Sequence, residues 1–245
     1  MTQKSSPQDQ AFNIAVPAGF DAQAIPIHEV CTGQPTVARN ILDPVSLRHR
    51  FQSPPVWQPE ITDENRHVVA ENIISKRQAA GKVTRAAVLI PLLLKNDGLS
   101  VLLTQRTDHL HDHAGQISFP GGRMDPEDLD PHDTALRESE EEIGLDRKGV
   151  EIIGQLPQYL TVSGYSVTPV VGLVKPQAEY VLDAFEVADV FEVPLHFLMN
   201  PANHQVRVWE SAQGSRRFYS MPYENRFIWG ATAGMLRNLY HLLKV

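Results

Sequence analysis

The chain has a single cysteine, Cys31, among 245 residues, so no disulfide can form within it and no cysteine-based zinc site can be assembled. No uninterrupted apolar run approaches the roughly 20 residues needed to span a bilayer. The first residues, MTQKSSPQDQ, lack the apolar centre of a secretory signal. The last three, LKV, are not a peroxisomal address. A cytoplasmic location is therefore expected. Basic charge is also in short supply, with 22 Lys and Arg against 29 Asp and Glu and a net charge of −7. That balance argues against a dedicated nucleic-acid binder, which needs a basic surface. Glycine-rich phosphate cradles of the P-loop or dinucleotide type are missing as well. Internal repeats are not seen.

What is present is acid, concentrated in one place. The stretch Gly121 to Leu145 reads GGRMDPEDLDPHDTALRESEEEIGL. Its second half has clear helix signals. Asp130 is suited to the N-cap, Pro131 to the first position, Asp133 to the third, and Gly144 to the stop. Glu138, Glu141 and Glu142 fall at i, i+3 and i+4 and so share one helical face. Like charges at that spacing repel, by roughly a few tenths of a kcal/mol per pair. Arg137, four residues before Glu141, relieves this only in part. One outcome is a solvated acidic face. The other is a divalent cation with a preference for oxygen ligands, Mg²⁺ or Mn²⁺.

The remainder divides in two. Residues 1–60 hold eight of the 18 prolines and sustain no apolar period. They read as an N-terminal arm, poorly ordered or loosely docked. Within it, 43–51 (DPVSLRHRF) has the signals of a short helix, with Asp43 as cap and Pro44 first. A helical period over about 63–80 makes residues 61–82 a linking helix, and 83–245 the main domain. There, 85–94 and 99–107 read as a hairpin turning through KNDG, with Pro91 at a bulge or an edge. Further strands are expected at 116–119, 150–156 and 166–174, with a short strand and helix over 185–198. A hairpin over 205–221 and a closing amphipathic helix at about 231–243 complete the pattern. The class is α/β, or α+β, with a mixed sheet and helices on two faces.

The residues 137–145, Arg-Glu-Ser-Glu-Glu-Glu-Ile-Gly-Leu, resemble the second half of the Nudix box. The first half departs from the usual pattern. The interval from Gly122 to Arg137 is one residue longer, and Asp128 stands where a glutamate is usual, which leaves the role of Asp128 open. The same expansion is a feature of the coenzyme A pyrophosphatase branch of the Nudix hydrolases. LLTQRTDHLHDHAGQISFPGG, at 102–122, is similar to that branch's upstream motif, with Thr107 in place of a more usual Ser or Ala. SGYSVTPVVG, FEVPL and FIWGATAGML downstream are also similar to members of the branch, so the likeness runs over about 83–243. It implies the Nudix fold, an α/β/α sandwich around a mixed sheet with an irregular N-terminal extension.

The resemblance also implies a reaction. A diphosphate resists hydrolysis partly because its negative oxygens repel a nucleophile. Divalent cations would neutralise that charge, orient the diphosphate and acidify water. Glu138 and Glu142 are the implied metal ligands, with Glu141 contributing to the same site or positioning water. Arg137 orients the glutamates by charge-assisted hydrogen bonds. The general base would be Glu186 or one of the box glutamates. Arg106, His113 and Gln116 form a substrate-side cluster, and Gly121 and Gly122 allow close approach to phosphate oxygens. A zinc site on His109, His111 and His113 is the weaker reading of that histidine run. Phe218, Tyr219, Tyr223 and Trp229 read as mostly core, one of them available to stack on adenine, and the sequence does not choose which.

The implied activity is metal-dependent cleavage of coenzyme A or its derivatives to 3′,5′-ADP and 4′-phosphopantetheine or its acyl form. The alternatives are hydrolysis of another nucleoside diphosphate, such as ADP-ribose or a nucleotide sugar, and a non-catalytic nucleotide-binding module. The implied partner is this small-molecule substrate, with neither nucleic acid nor membrane, and a homodimer is left open.

Overall fold

A computed structural model describes residues 20–60, 83–109, 115–161, 163–211 and 214–245. The linking helix expected over 61–82 lies outside the described residues, as do residues 1–19.

The centre is a mixed sheet. Strand β2 (Thr84–Lys95) turns at Gly98, whose φ of +130° suits glycine, into β3 (Gly98–Arg106). The short strands β4 (Ile117–Ser118) and β5 (Gly121–Arg123) pair antiparallel with β3 and β2. After helix α2 (Pro131–Ile143) come β6 (Val150–Gln155), β7 (Tyr159–Leu160) and β8 (Tyr165–Val174), and then β9 (Val187–Pro194) on the far side of β3. The order is β4-β3-β2-β8-β6, and β2 with β8 is a parallel pair. Pro91 sits within β2, between the pairing to β5 (Ala86 to Val88) and the pairing to β3 (Leu92 to Lys95). The missing N–H falls where the lateral partner changes, so the ladder loses little.

Alternation divides the sheet's side chains between two cores. Ile90, Leu92, Val101, Leu103, Val171 and Leu173 point into one. Ala87, Leu89, Leu93, Leu102, Val170 and Val174 point into the other. Because both faces are covered, these strands read as continuous apolar runs. Helix α2 (Pro131–Ile143) covers the second core with Ala135 and Ile143. The first core is covered by the closing helix α4 (Gly230–Leu243) through Leu236, Leu239, Tyr240 and Leu243, and by Met199 following the short helix α3 (Leu195–Leu198).

Two expectations are corrected. The hairpin β10 (Gln205–Ser211) and β11 (Gly214–Tyr223) does not join the main sheet. With β1 (Ile27–Val30) and β12 (Arg226–Trp229) it forms a second, four-stranded sheet, and Met221 and Ile228 enter the first core. Residues 20–60, moreover, are not a loosely docked arm. Strand β1 pairs with β10, and helix α1 (Pro44–Gln52) buries Leu47 completely. Asp43 caps α1 by accepting from the Val45 and Ser46 amides, and Arg48 forks onto Glu151 of β6 at 2.7 Å through both nitrogens. The segment is held by scattered single apolar residues (Val37, Leu42, Leu47) and by backbone pairing, and neither leaves a periodic trace.

Candidate active site

Helix α2 begins and ends where its sequence signals place it. Asp130 accepts from the Asp133 amide at 2.9 Å, Pro131 follows, and Gly144 closes the helix in the left-handed conformation with φ of +64°. The helix lies against β2 and β5, so Glu138 and Glu142 on its inner side meet the glycine pair.

Glu142 is 6% exposed and accepts from the Gly121 amide at 3.0 Å. Burial is the main reason its carboxyl is pushed up to about 8. The Gly121 hydrogen bond opposes the rise and the neighbouring Glu138 adds to it. Glu138 is raised too, by burial and then by Glu141 and Glu186, with Arg137 pulling the other way. The two glycines do separate jobs. A Cβ on Gly121, where φ is +150°, would lie 2.4 Å from the Ala87 carbonyl oxygen, so this glycine lets β5 close on β2. A Cβ on Gly122 would lie 2.4 Å from Oε2 of Glu138, so this one leaves room for the carboxylate.

Arg137 organises the outer part. Its Nε and Nη2 fork onto Asp128 at 2.9 Å each, Nη1 reaches Glu138 and Glu141 at 3.0 Å, and Nη2 also donates to the Arg123 carbonyl. These contacts place Arg137 between the Asp128 carboxylate and the two box glutamates Glu138 and Glu141. Asp128 is the partner that sequence reasoning left open. It is held well below the usual carboxylate range, first by the Arg137 hydrogen bonds, and it also accepts from Thr134 and the Asp125 amide. The only signal for this role was its place in the motif, nine residues before Arg137. Glu141 is drawn outward onto Arg137, its side chain 59% exposed.

Arg106, at the end of β3, lies between Glu142 (3.9 Å) and Glu186 (3.8 Å) and so links α2 to the turn before β9. Glu186 is thereby brought beside Glu142, and its backbone is fixed by two hydrogen bonds, its N–H donating to the Asp183 carbonyl and its carbonyl accepting from the Thr107 N–H. Gln116 meets Arg106 through the backbone, at 2.9 Å, and lines a cavity of about 290 Å³ beside it. His113 and His111 lie outside the described residues. His109 packs edge-on against Phe185 at 5.0 Å. Phe218 and Tyr219 are buried, as expected of core, whereas Trp229 borders the cavity.

Among the described residues, no three His, Cys, Asp or Glu side chains converge into a ready-made metal cage. A buried and a partly buried carboxylate with raised proton affinity, Glu142 and Glu138, nonetheless face the glycine pair, with Glu186 adding to their repulsion. Mg²⁺ is commonly held in this way, by one or two carboxylates with substrate phosphates and water supplying the rest. The donor set fits such an ion.

The NUDIX domain family model matches residues 83–213. The chain belongs to the Nudix family. Among curated proteins it is similar to uncharacterized Nudix hydrolases called NudL. The one from Yersinia pestis (strain Pestoides F) is 43% identical over 155 residues, covering 63% of this chain and 77% of that protein. Its Yersinia pseudotuberculosis counterpart gives the same values. A solved Nudix hydrolase from M. smegmatis, RenU, overlaps with a TM-score of 0.40 at 22% identity, over 46% of this chain and 71% of that one. Nudix membership makes the chain a hydrolase of the diphosphate-cleaving kind, with α2 carrying the box helix. Among the described residues no helix is long and apolar enough to cross a membrane.

Proposed function

We propose that the protein hydrolyses the diphosphate bond of coenzyme A or a derivative, giving 3′,5′-ADP and 4′-phosphopantetheine or its acyl form. The observation that carries the reaction is Glu142, a buried carboxylate bonded to the Gly121 amide beside Glu138. Support for the substrate comes from the upstream motif, in which Arg106, Gln116, Phe119, Pro120, Gly121 and Gly122 stand in the order that the coenzyme A branch shows, together with the lengthened box.

In this reading Glu138 and Glu142 hold Mg²⁺ or Mn²⁺, with Glu141 as a further ligand. The ion supplies charge neutralisation at the diphosphate and acidifies water. Arg137, anchored on Asp128, keeps Glu138 beside the glycine pair and holds Glu141 at the outer edge of the site. Arg106 turns its guanidinium toward the phosphates, and its partner Glu186, half exposed, takes the proton from the attacking water.

The test is incubation with coenzyme A and Mg²⁺ in ¹⁸O-labelled water, followed by mass spectrometry. Labelled 3′,5′-ADP or phosphopantetheine is expected, and the label identifies the phosphorus attacked. Glu142→Gln should lower kcat/KM by roughly 10²- to 10³-fold in a folded protein, since a bound divalent cation is worth several kcal/mol at the transition state. Intact coenzyme A with both cations would overturn the substrate assignment. Unchanged turnover in E142Q would overturn the metal assignment.

A further inference from the structure

The cavity of about 290 Å³ lies at the same strand end as the carboxylates. Gln105 and Arg106 are consecutive at the end of β3, where the pairing with β9 is irregular, and their side chains make separate contacts. Arg106 faces Glu142 and Glu186, and Gln105 faces the cavity. Two of its walls come from outside the family match at 83–213. Phe20 and Gln23 belong to the N-terminal segment, and Asn225 and Trp229 to the β11–β12 region.

These walls are built in place. Phe20 packs on Trp209 and Trp229 with ring centroids 5.0 and 6.0 Å apart. Arg207, buried in β10, donates to the Gln23 carbonyl at 2.9 Å and to the Ile25 carbonyl, which pins the segment to the second sheet. The one arginine that lines the cavity, Arg226, is paired with Asp189, lies over the Phe191 ring at 4.5 Å and donates to Oε1 of Gln105. Its charge is therefore already matched, which disfavours a phosphate as occupant. The bond also turns the Gln105 amide N–H₂ away from the guanidinium. What the cavity offers is an aromatic wall, side-chain amides carrying donors and acceptors together, and the Asp21 carboxylate, which already accepts from the Gln23 backbone amide. That chemistry suits a planar, neutral, hydrogen-bonding heteroaromatic ring. The volume is close to the lower end of small-molecule sites, about 300 Å³.

We propose that this cavity holds the nucleobase of the substrate, and that the segment around Phe20 to Gln23 is a specificity element of the enzyme. The proposal rests on the diphosphate-hydrolase reading for its substrate class. Trp229 provides a direct readout, because the chain has only three tryptophans. Metal-free protein is titrated with adenosine 5′-monophosphate while its fluorescence is followed, and saturable quenching is expected. Phe20→Ala should weaken this binding about five- to thirtyfold, the range for losing one base–aromatic stack. In hydrolysis, KM for the nucleoside diphosphate should rise by the same factor with kcat within about twofold, while turnover of methyl diphosphate, which has no base, stays unchanged. Gln23→Ala, at an exposed position that cannot threaten the fold, should weaken nucleotide binding in the same direction. Absence of quenching in the wild type, or unaltered binding and KM in both folded variants, would overturn the proposal while leaving the hydrolase reading intact. Quenching that F20A weakens by that factor in a protein unable to cleave any diphosphate would sustain the cavity and overturn the hydrolase reading.

Discussion

Arginines gather acid in two clusters whose surroundings differ, one around Arg237 and the other around Arg106 and Arg137. Arg237 of α4 is fully buried. It meets Glu60 at 2.6 Å, donates to Nδ1 of His204 at 3.0 Å, lies 3.0 Å from Nε2 of His241, and donates to Gln34. Its guanidinium lies 4.9 Å from both the Tyr219 and Tyr240 rings. One carboxylate answers one guanidinium there. His204 is kept neutral, burial pushing it down to about 4, and it donates Nε2–H to the Leu198 carbonyl while Nδ1 accepts from Arg237. Around α2 the ratio is different. Arg106 and Arg137 together face Asp125, Asp128, Glu138, Glu141, Glu142 and Glu186. Matched charge locks the first cluster as a joint between the N-terminal segment and the last helix. Surplus acid in the second is the feature on which the proposed cation site rests.

The contrast can be broken most forcefully at the joint. Arg237→Met takes the guanidinium away from Glu60, leaving it with His241, and removes the partner of His204. Deleting one member of a buried pair costs about 3–5 kcal/mol. Chemical denaturation should show that loss, while kcat measured well below the melting temperature stays near wild type. A kcat that collapsed in still-folded protein would mean that the joint also serves the site. Asp128→Asn probes the other cluster. Arg137 would lose its charged fork, and kcat/KM should fall about 10- to 100-fold, the usual cost of disturbing a residue that orients metal ligands. The stability loss should be only about 1 kcal/mol, for a hydrogen bond weakened at the site. Equal losses of stability in the two variants would erase the distinction drawn between the clusters.

The helix of the second cluster could be read from sequence, because its signals are local. Asp130, Pro131 and Gly144 act within a turn of where they stand, and Glu138 and Glu142 are fixed on one face by spacing alone. The pairing of Asp128 with Arg137 crosses a loop, so spacing could not supply it. The first cluster was invisible for a related reason. Glu60 and Arg237 are separated by most of the chain, and within GATAGMLRNLYHLL the arginine looks like the polar side of an amphipathic helix. In fact Arg237 and Asn238 are as buried as Leu236, because the second sheet and residues 20–60 cover that side. The same long-range pairing explains why the proline-rich segment before Glu60 looked unattached.

The smallest effect concerns pH, and its sign differs between the clusters. Burial raises the Glu60 carboxyl, but hydrogen bonds and charge from His241 and Arg237 outweigh it and hold it at about 2. Its contribution is present above the unfolded value near 4.5 and is lost as pH falls toward 2. Glu142 is shifted the other way. Its contribution is complete below about 4.5 and is lost as pH rises toward 8, when the buried carboxyl must ionise. Metal-free wild-type protein should therefore melt progressively lower from pH 5 to pH 8.5. Glu142→Gln, which keeps an acceptor for the Gly121 amide without the charge, should melt higher than wild type at pH 8.5. A gap of about 4 °C is expected, since 1 kcal/mol corresponds to about 2–4 °C for a chain of this size. Added Mg²⁺ or Mn²⁺ should raise the wild-type melting temperature and leave E142Q nearly unmoved, closing the gap. If the two proteins melted together at every pH, Glu142 would carry no stored charge for a cation to relieve, and the second cluster would be as structural as the first.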